Sequence, residues 1–352
     1  MNSFERGRHF LGEIHEQPAA LLSLLEHADE YRSAARVLRG RRPRLVRLIG
    51  HGSSDAAAAF GVYAFGLLPG WTAARDSISL LVYYDAQIDF ADSVVVALSQ
   101  SGQTPDVIAY VDRARQQGAP TIAITNEPDS ELAVAAEISL PLAAGAEHSV
   151  AASKTYLNTL AALALLAGSC AQREHETLDE LRTVADLLAD ELGALERAVA
   201  EVALAFAYVG RMYVIGRGIE IATAREVALK LKETCRVAAE PVTATDLVHG
   251  PIAALDAMFP VWTIASQDAS LPALVEAATR ARDAGATLVA SGSAASSIEG
   301  AAYVLPVPEP PRSLLSPLLS VVPGQLFSAS LAQAKGLDPD RPQGLTKVTL
   351  AH

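Results

Sequence analysis

The second half of this 352-residue chain repeats the first. Ile49-Gly50-His51-Gly52 returns 166 residues later as Ile215-Gly216-Arg217-Gly218. Ser99-Gln100 returns as Ser266-Gln267, and Gly118 as Gly285, each 167 residues later. Landmarks sharing one offset point to two copies of one supersecondary plan. Within each copy, apolar runs of five or six residues alternate with amphipathic helical stretches, the pattern of parallel strands joined by crossover helices. Strands are expected at Leu45–Ile49, Val94–Leu98, Thr121–Thr125, Met212–Ile215, Val261–Ala265, Thr287–Ala290 and Tyr303–Val307. Helices such as Asp106–Gln116 and Leu271–Asp283 lie between them. The fold class is therefore α/β, with two tandem doubly wound parallel-sheet domains of flavodoxin-like type, a helical N-terminal preface and a C-terminal tail. The expected divisions are 1–42 for the preface, 43–170 for the first domain, 171–200 for a charged helical linker, 201–335 for the second domain and 336–352 for the tail.

Composition removes several classes of function. The net charge of −12 disfavours nucleic acid or an anionic membrane as partner. Two cysteines, Cys170 and Cys235, make no disulfide framework and suit a reducing cytoplasm. The first 18 residues carry charges throughout with no apolar core, unlike a secretory signal. The apolar stretch from Tyr156 to Ala171 is short for a membrane span and reads as a buried core helix. The eight histidines form no pair at ligand spacing and no Cys-x-x-Cys occurs, so no metal is expected. Both Gly-x-Gly turns lack the third glycine of a dinucleotide fingerprint, and a Gly-x-Ser-x-Gly elbow is absent.

What remains is a phosphate cradle. The strand Val94–Leu98 runs into Ser99-Gln100-Ser101-Gly102-Gln103-Thr104, followed by Pro105 at the first helical position. Thr104 is an N-cap candidate, and the loop sets hydroxyls and free N–H groups at a positive helix end. An ordinary polar strand-to-helix turn has the same composition. Gly52, Ser53 and Ser54 open a second such turn, with hydroxyls suited to a sugar. The matching loop of the second copy, Ser266-Gln267-Asp268-Ala269-Ser270, lacks the glycine and the Thr-Pro start, so only the first copy is expected to bind phosphate. Glu226, Lys230 and Glu233 share one face of a helix near Ile221 to Cys235. A solvated salt-bridged face has this spacing, and so does a carboxylate placed to move a proton between adjacent carbons. His249 sits in a Gly-Pro-framed loop; neither it nor Lys347 is informative alone.

As a set these residues are familiar. SQSGQT, GHGSS, REVALKLKET, DLVHGP and the tail DRPQGLTK resemble the tandem sugar-isomerase (SIS) family, from the preface EIHEQP to Lys347. The likeness is greatest to the isomerase half of glutamine–fructose-6-phosphate aminotransferase and to SIS-type glucosamine-6-phosphate deaminases. The resemblance implies that Ser99, Gln100, Ser101 and Thr104 bind phosphate, and that Gly52, Ser53 and Ser54 contact the sugar. It implies that Val150 and Ala151 wall the pocket, while Glu226 and Lys230 support the catalytic helix. By the same likeness Glu233 shuttles the C1/C2 proton, His249 from the partner subunit of a homodimer assists ring opening, and Lys347 forms a Schiff base with the open-chain ketose. No cofactor is called for. Asn2 stands where a glutaminase carries its nucleophilic cysteine and the repeat fills the chain, so the expected reaction is conversion of glucosamine 6-phosphate to fructose 6-phosphate and ammonia. Ala152 and His148 depart from the relatives' wall and leave the sugar and its N-substitution open. Isomerisation or dehydration of another sugar phosphate, N-acetylated ones included, and non-catalytic sugar-phosphate sensing are the alternatives.

Overall fold

The computed structural model describes residues 6–347. They contain two five-stranded sheets, every pairing parallel. The first comprises β1 (Leu45–Ile49), β2 (Ala73–Arg75), β3 (Ser93–Leu98), β4 (Thr121–Thr125) and β5 (Ile138–Pro141), in the order β2-β1-β3-β4-β5. The second comprises β6 (Arg211–Gly216), β7 (Ala238–Thr243), β8 (Pro260–Ile264), β9 (Thr287–Gly292) and β10 (Tyr303–Pro306). Its order, β10-β9-β8-β6-β7, is that of the first sheet read from the opposite edge. The repeat inferred from sequence is thus a repeat of topology, and the fold is the expected pair of doubly wound domains.

All seven strands read from the sequence are present, with ends shifted by one or two residues. Three were missed, and each lies at a sheet edge. β2 is three residues long and largely exposed, and β5 is half covered. β7 reads Ala-Ala-Glu-Pro-Val-Thr, and its Pro241 is tolerated because an edge strand has one side free of ladder bonds. Edge strands lack the continuous apolar run of central ones: all six residues of β3 and all five of β4 and β8 are buried.

Two compact units result, each drawing on several parts of the chain. One comprises Met1–Pro18, His148–Ser153 and Thr183–Leu345; the other comprises Ala19–Glu147, Lys154–Arg182 and Thr346–His352. In the unit holding the first sheet, Ile49, Val95, Ala97 and Ala123 pack against Val107, Tyr110, Val111 and Ala114 of the helix Pro105–Gln116. The equivalent core of the second sheet sets Ile215, Val261, Leu288 and Ala290 against Leu274, Ala277, Ala278 and Ala281 of the helix Leu271–Asp283. A 32-residue helix, Glu174–Ala205, occupies the segment read as the linker.

Among the described residues one helical stretch, Ser313–Ala334, is long and apolar enough to cross a membrane, with a mean hydropathy of 1.4. It is not the Tyr156–Ala171 stretch singled out from sequence; that helix, Lys154–Cys170, is shorter and wholly buried. The Ser313–Ala334 window is itself 94% buried, which accounts for its apolarity. It packs closely on the helix Ile221–Cys235: a Cβ added to Gly324 would lie 2.3 Å from Cγ2 of Val227.

The two copies differ at the carboxyl ends of their strands. As expected, Asp268 holds the start of the second-copy helix, its Oδ1 accepting from the N–H and the hydroxyl of Ser270, both at 2.7 Å. A second carboxylate had not been foreseen. Glu220, in the turn after β6, is fully buried, and the hydroxyls of Ser266, Thr223 and Ser320 all donate to it. Ser266 is the counterpart of Ser99, so in this copy the hydroxyl that opens the loop is already engaged by the chain's own carboxylate. Burial raises the Glu220 carboxyl to about 7, against the opposing pull of the three hydroxyls.

Two predictions follow from these contacts. Replacing Gly324 by Ala forces the two helices apart and should lower stability by about 1–3 kcal/mol in urea unfolding. Glu220 holds its proton in the folded state up to about pH 7, whereas in the unfolded chain it is released near 4.5. The folded state therefore binds more protons between these values, and its stability falls as pH rises through that window. Glu220→Gln should remove a decline on the order of 3 kcal/mol between pH 4.5 and 7.5. Parallel stability curves for the two proteins would refute it.

Candidate active site

The strand β3 delivers Ser99 to the carboxyl edge of the first sheet, next to β1, where the strand order reverses and the loops of neighbouring strands part. Gly102 has φ +61° and is hemmed in: a Cβ there would lie 2.0 Å from the Ser130 hydroxyl. The loop is strapped by the Ser99 hydroxyl, which accepts from Gly102 N–H at 3.1 Å, and by Gln100 O, which accepts from Asn126 N–H and the Thr125 hydroxyl. Leu132 N–H donates to Gly102 O. Thr104 is the N-cap of the helix Pro105–Gln116 by position, with extended backbone. Its hydroxyl does not cap the helix, contrary to the simplest expectation, and lies 3.4 Å from the Ser99 hydroxyl instead. The helix start thus keeps N–H groups available to an anion.

The other turn closes on the same edge. Gly50 has no room for a side chain, since a Cβ would meet Leu98 O at 2.9 Å. Gly52, with φ +56°, is the N-cap of the helix Ser53–Leu67, so Ser53 and Ser54 lie in its first turn, half-buried. His51 Nε2 and Asp106 Oδ2 are 2.7 Å apart, which joins this turn to the first turn of the phosphate-loop helix. Sequence reading missed that tie because the two residues are 55 apart and neither belongs to a spaced motif.

Lys347 comes to this unit. A cavity of about 390 Å³ is lined by Gln100, Ser101, Gln103, Glu147 and Lys347, among others. Lys347 Nζ donates to Glu147 Oε2 at 2.8 Å. That carboxylate is wholly buried and is held from behind by the N–H and hydroxyl of Thr155. Glu147 had passed as part of the wall sequence; its role in fixing a lysine is visible only once the tail is folded.

The other unit carries the helix Ile221–Cys235. Lys230, 1% exposed, has its Nζ 3.4 Å from Glu226 Oε1 and 2.6 Å from Glu233 Oε2. Glu226 is fully buried, and Glu233 keeps 22% of its side chain exposed. The solvated-face alternative is thereby excluded. A buried lysine between two carboxylates holds the outer one, Glu233, in a fixed orientation with one edge accessible. Val150 and Ala151 belong to the same unit. Their segment is clamped by the preface, where the buried Glu13 carboxylate accepts from the N–H of His148 and Ser149. It is also clamped by the tail, with Val150 N–H donating to Asp340 O at 3.3 Å. Asp340 in turn caps the helix Arg8–His15, accepting from Phe10 N–H at 2.7 Å and His9 N–H at 3.1 Å. His249 ends the short helix Ala244–Val248 on the surface, and its ring has no hydrogen-bond partner among the described residues.

One family model, described as the SIS domain, matches residues 41–169 and again 206–334. Glutamine–fructose-6-phosphate aminotransferase (isomerizing) of Gloeobacter violaceus is 35% identical over 97% of the chain, and that of Aeropyrum pernix 34% identical over 96%. The chain spans 57–58% of the length of these relatives. A candidate phosphosugar isomerase from Silicibacter pomeroyi DSS-3 is 31% identical with a TM-score of 0.80, covering 94% of this chain and 99% of that one. The C-terminal domain of the Francisella tularensis aminotransferase, 23% identical over 97% of this chain and 100% of that one, shares the fold with a TM-score of 0.87. With two matched segments that together take up most of the chain, and a topology repeated in two sheets, this protein belongs to the SIS domain family of sugar-phosphate isomerases.

Proposed function

We propose that the chain converts glucosamine 6-phosphate to fructose 6-phosphate and ammonia. The observation that carries this reading is the buried row Glu226–Lys230–Glu233, which ends in a fixed, partly accessible carboxylate. A row of this kind would be superfluous in a protein that only sensed sugar phosphates. The N–H groups and hydroxyls of Ser99, Gln100, Ser101 and Thr104 hold the phosphate, and Gly52, Ser53 and Ser54 hold the sugar hydroxyls. The aminotransferase relatives support the substrate class.

The steps follow from the substrate's chemistry. A pyranose has no carbonyl until its ring opens, so an acid/base group, His249 of a second copy in a homodimer, first moves a proton to the ring oxygen. Glu233 then takes the proton from C2 of the open aldehyde and the same proton equivalent returns to C1, leaving an imine at C2. Lys347 adds to that carbon as a neutral amine and ammonia departs. Water hydrolyses the resulting Schiff base to the ketose and frees the lysine. Glu147 positions Lys347 for the addition, and Val150 with Ala151 closes the sugar side.

A second reading, aldose–ketose isomerisation without loss of nitrogen, is favoured by the likeness to the Silicibacter protein. It uses the same proton shift and does not need Lys347.

The test is incubation with glucosamine 6-phosphate and its N-acetyl derivative in D₂O, following ammonia, fructose 6-phosphate and deuterium at C1 and C2. Equimolar ammonia and ketose are expected from the free amine. Glu233→Gln should lower turnover by about 10²–10⁴-fold with phosphosugar binding retained. Lys347→Ala should abolish the adduct trapped by borohydride. Deuterium exchange without ammonia selects the isomerase reading, and neither product from any phosphosugar refutes both.

A further inference from the structure

Glu233 has a second neighbourhood. It lines a cavity of about 510 Å³ formed with Lys232 and Arg236 of its own helix end, Arg341 of the tail segment and Arg6 of the preface. Four cations thus converge in a chain whose net charge is −12, against only two carboxylates, Glu233 and Asp338. Glu233 is committed to Lys230. Asp338 Oδ1 is committed to backbone, accepting from Gly7 N–H at 3.2 Å and Asp340 N–H at 3.1 Å. The guanidinium of Arg236 is oriented by Gln343 at 2.6 Å, and that of Arg6 by Gly336 O at 2.7 Å. Lys232 and Arg341 make no side-chain hydrogen bond or ion pair with any described residue.

Favourable interaction with a helix C-terminus explains a cation at Lys232 and Arg236. It does not explain Arg341 or Arg6, which come from other segments, and it does not explain the backbone of Arg236. That residue is the C-cap of its helix with φ 54° and ψ 37°, a conformation usually left to glycine. Arginine there forgoes about 1 kcal/mol or more, and such strain is retained where the side chain has a use.

We infer that this cavity is a second anion-binding site, separate from the SQSGQT loop, that takes a phosphate or carboxylate group beside Glu233. Two sources supply the same chemistry. One is a second acidic group carried by the sugar phosphate at its reacting end, and the other is a separate small anion. The first source rests on the role given above to Glu233; the binding itself does not, because it is read without turnover.

The experiment measures equilibrium binding to the full chain and to the double variant Lys232→Ala/Arg341→Ala. Both side chains are exposed, so folding should be unaffected, and a thermal melt checks this. The probes are fructose 6-phosphate, fructose 1,6-bisphosphate and inorganic phosphate added over saturating fructose 6-phosphate. For a substrate-borne group, the double variant should bind the bisphosphate at least about tenfold more weakly while fructose 6-phosphate changes less than twofold. For a separate anion, inorganic phosphate should show the tenfold loss and the bisphosphate none. Equal affinities of both proteins for the bisphosphate and for inorganic phosphate overturn the proposal. If Glu233→Gln keeps full turnover, the reading of the reaction fails while the phosphate arm still reports on the cavity.

Discussion

A parallel sheet whose strand order reverses between two neighbours must send the helices that follow them to opposite faces. The loops then part at one edge and leave a crevice bounded by two helix starts. Both sheets here obey that constraint, between β1 and β3 and between β6 and β8. Each crevice comes with close-approach glycines because backbone from two strands meets there: Gly50 faces Leu98 O, and a Cβ on Gly216 would lie 2.4 Å from Glu220 O. The fold therefore supplies two equivalent anion sites, and the sequence decides which is kept. In the first copy the Ser99, Ser101 and Thr104 hydroxyls are left to a ligand. In the second, Glu220 draws the hydroxyl of Ser266 to itself.

The same contrast governs how the chain manages buried charge. Lys230 is taken out of water only because Glu226 and Glu233 flank it, since an isolated buried ammonium would shed its proton or unfold its surroundings. Glu220 has no cation, and three hydroxyls can satisfy its oxygens without neutralising it. The carboxyl accordingly stays protonated to about pH 7. One arrangement keeps a carboxylate ionised and partly accessible, as proton transfer requires. The other retires a carboxyl from chemistry and spends it on packing.

What could be read from the sequence divides along the same physical lines. Central strands were legible because burial on both faces demands continuous apolar runs, as in Ser93–Leu98. The edge strands Ala73–Arg75, Ile138–Pro141 and Ala238–Thr243 were not, because their conformation is imposed by a neighbour and leaves little trace in composition. Residues that act through local spacing, such as Glu226, Lys230 and Glu233, were found with the ambiguity of their surroundings unresolved. Burial resolved it. Residues that act across long separations had no local signal: Glu13 on the 148–149 backbone, Asp340 on the helix Arg8–His15, Glu147 on Lys347 and Glu220 on Ser266. Each is a carboxylate, a residue type that sequence patterning assigns by default to the surface.

These long-range carboxylates share a logic. Glu13 and Asp340 accept only backbone N–H groups from segments far away in the chain, so each fixes where a main chain runs and leaves side-chain chemistry untouched. A carboxylate bonded to N–H is stronger than a neutral acceptor and leaves no charged partner to compete for a substrate. Glu147 differs in dividing its oxygens between the Thr155 N–H, the Thr155 hydroxyl and the Lys347 amine. Two of those contacts anchor it and the third holds the tail lysine, so one buried carboxylate converts the rigidity of the helix Lys154–Cys170 into the position of a reactive amine. A tail only a few residues from its end would otherwise bring that amine to the cavity at a large entropic cost. The anchoring of Glu147 is what makes a lysine so near the terminus usable.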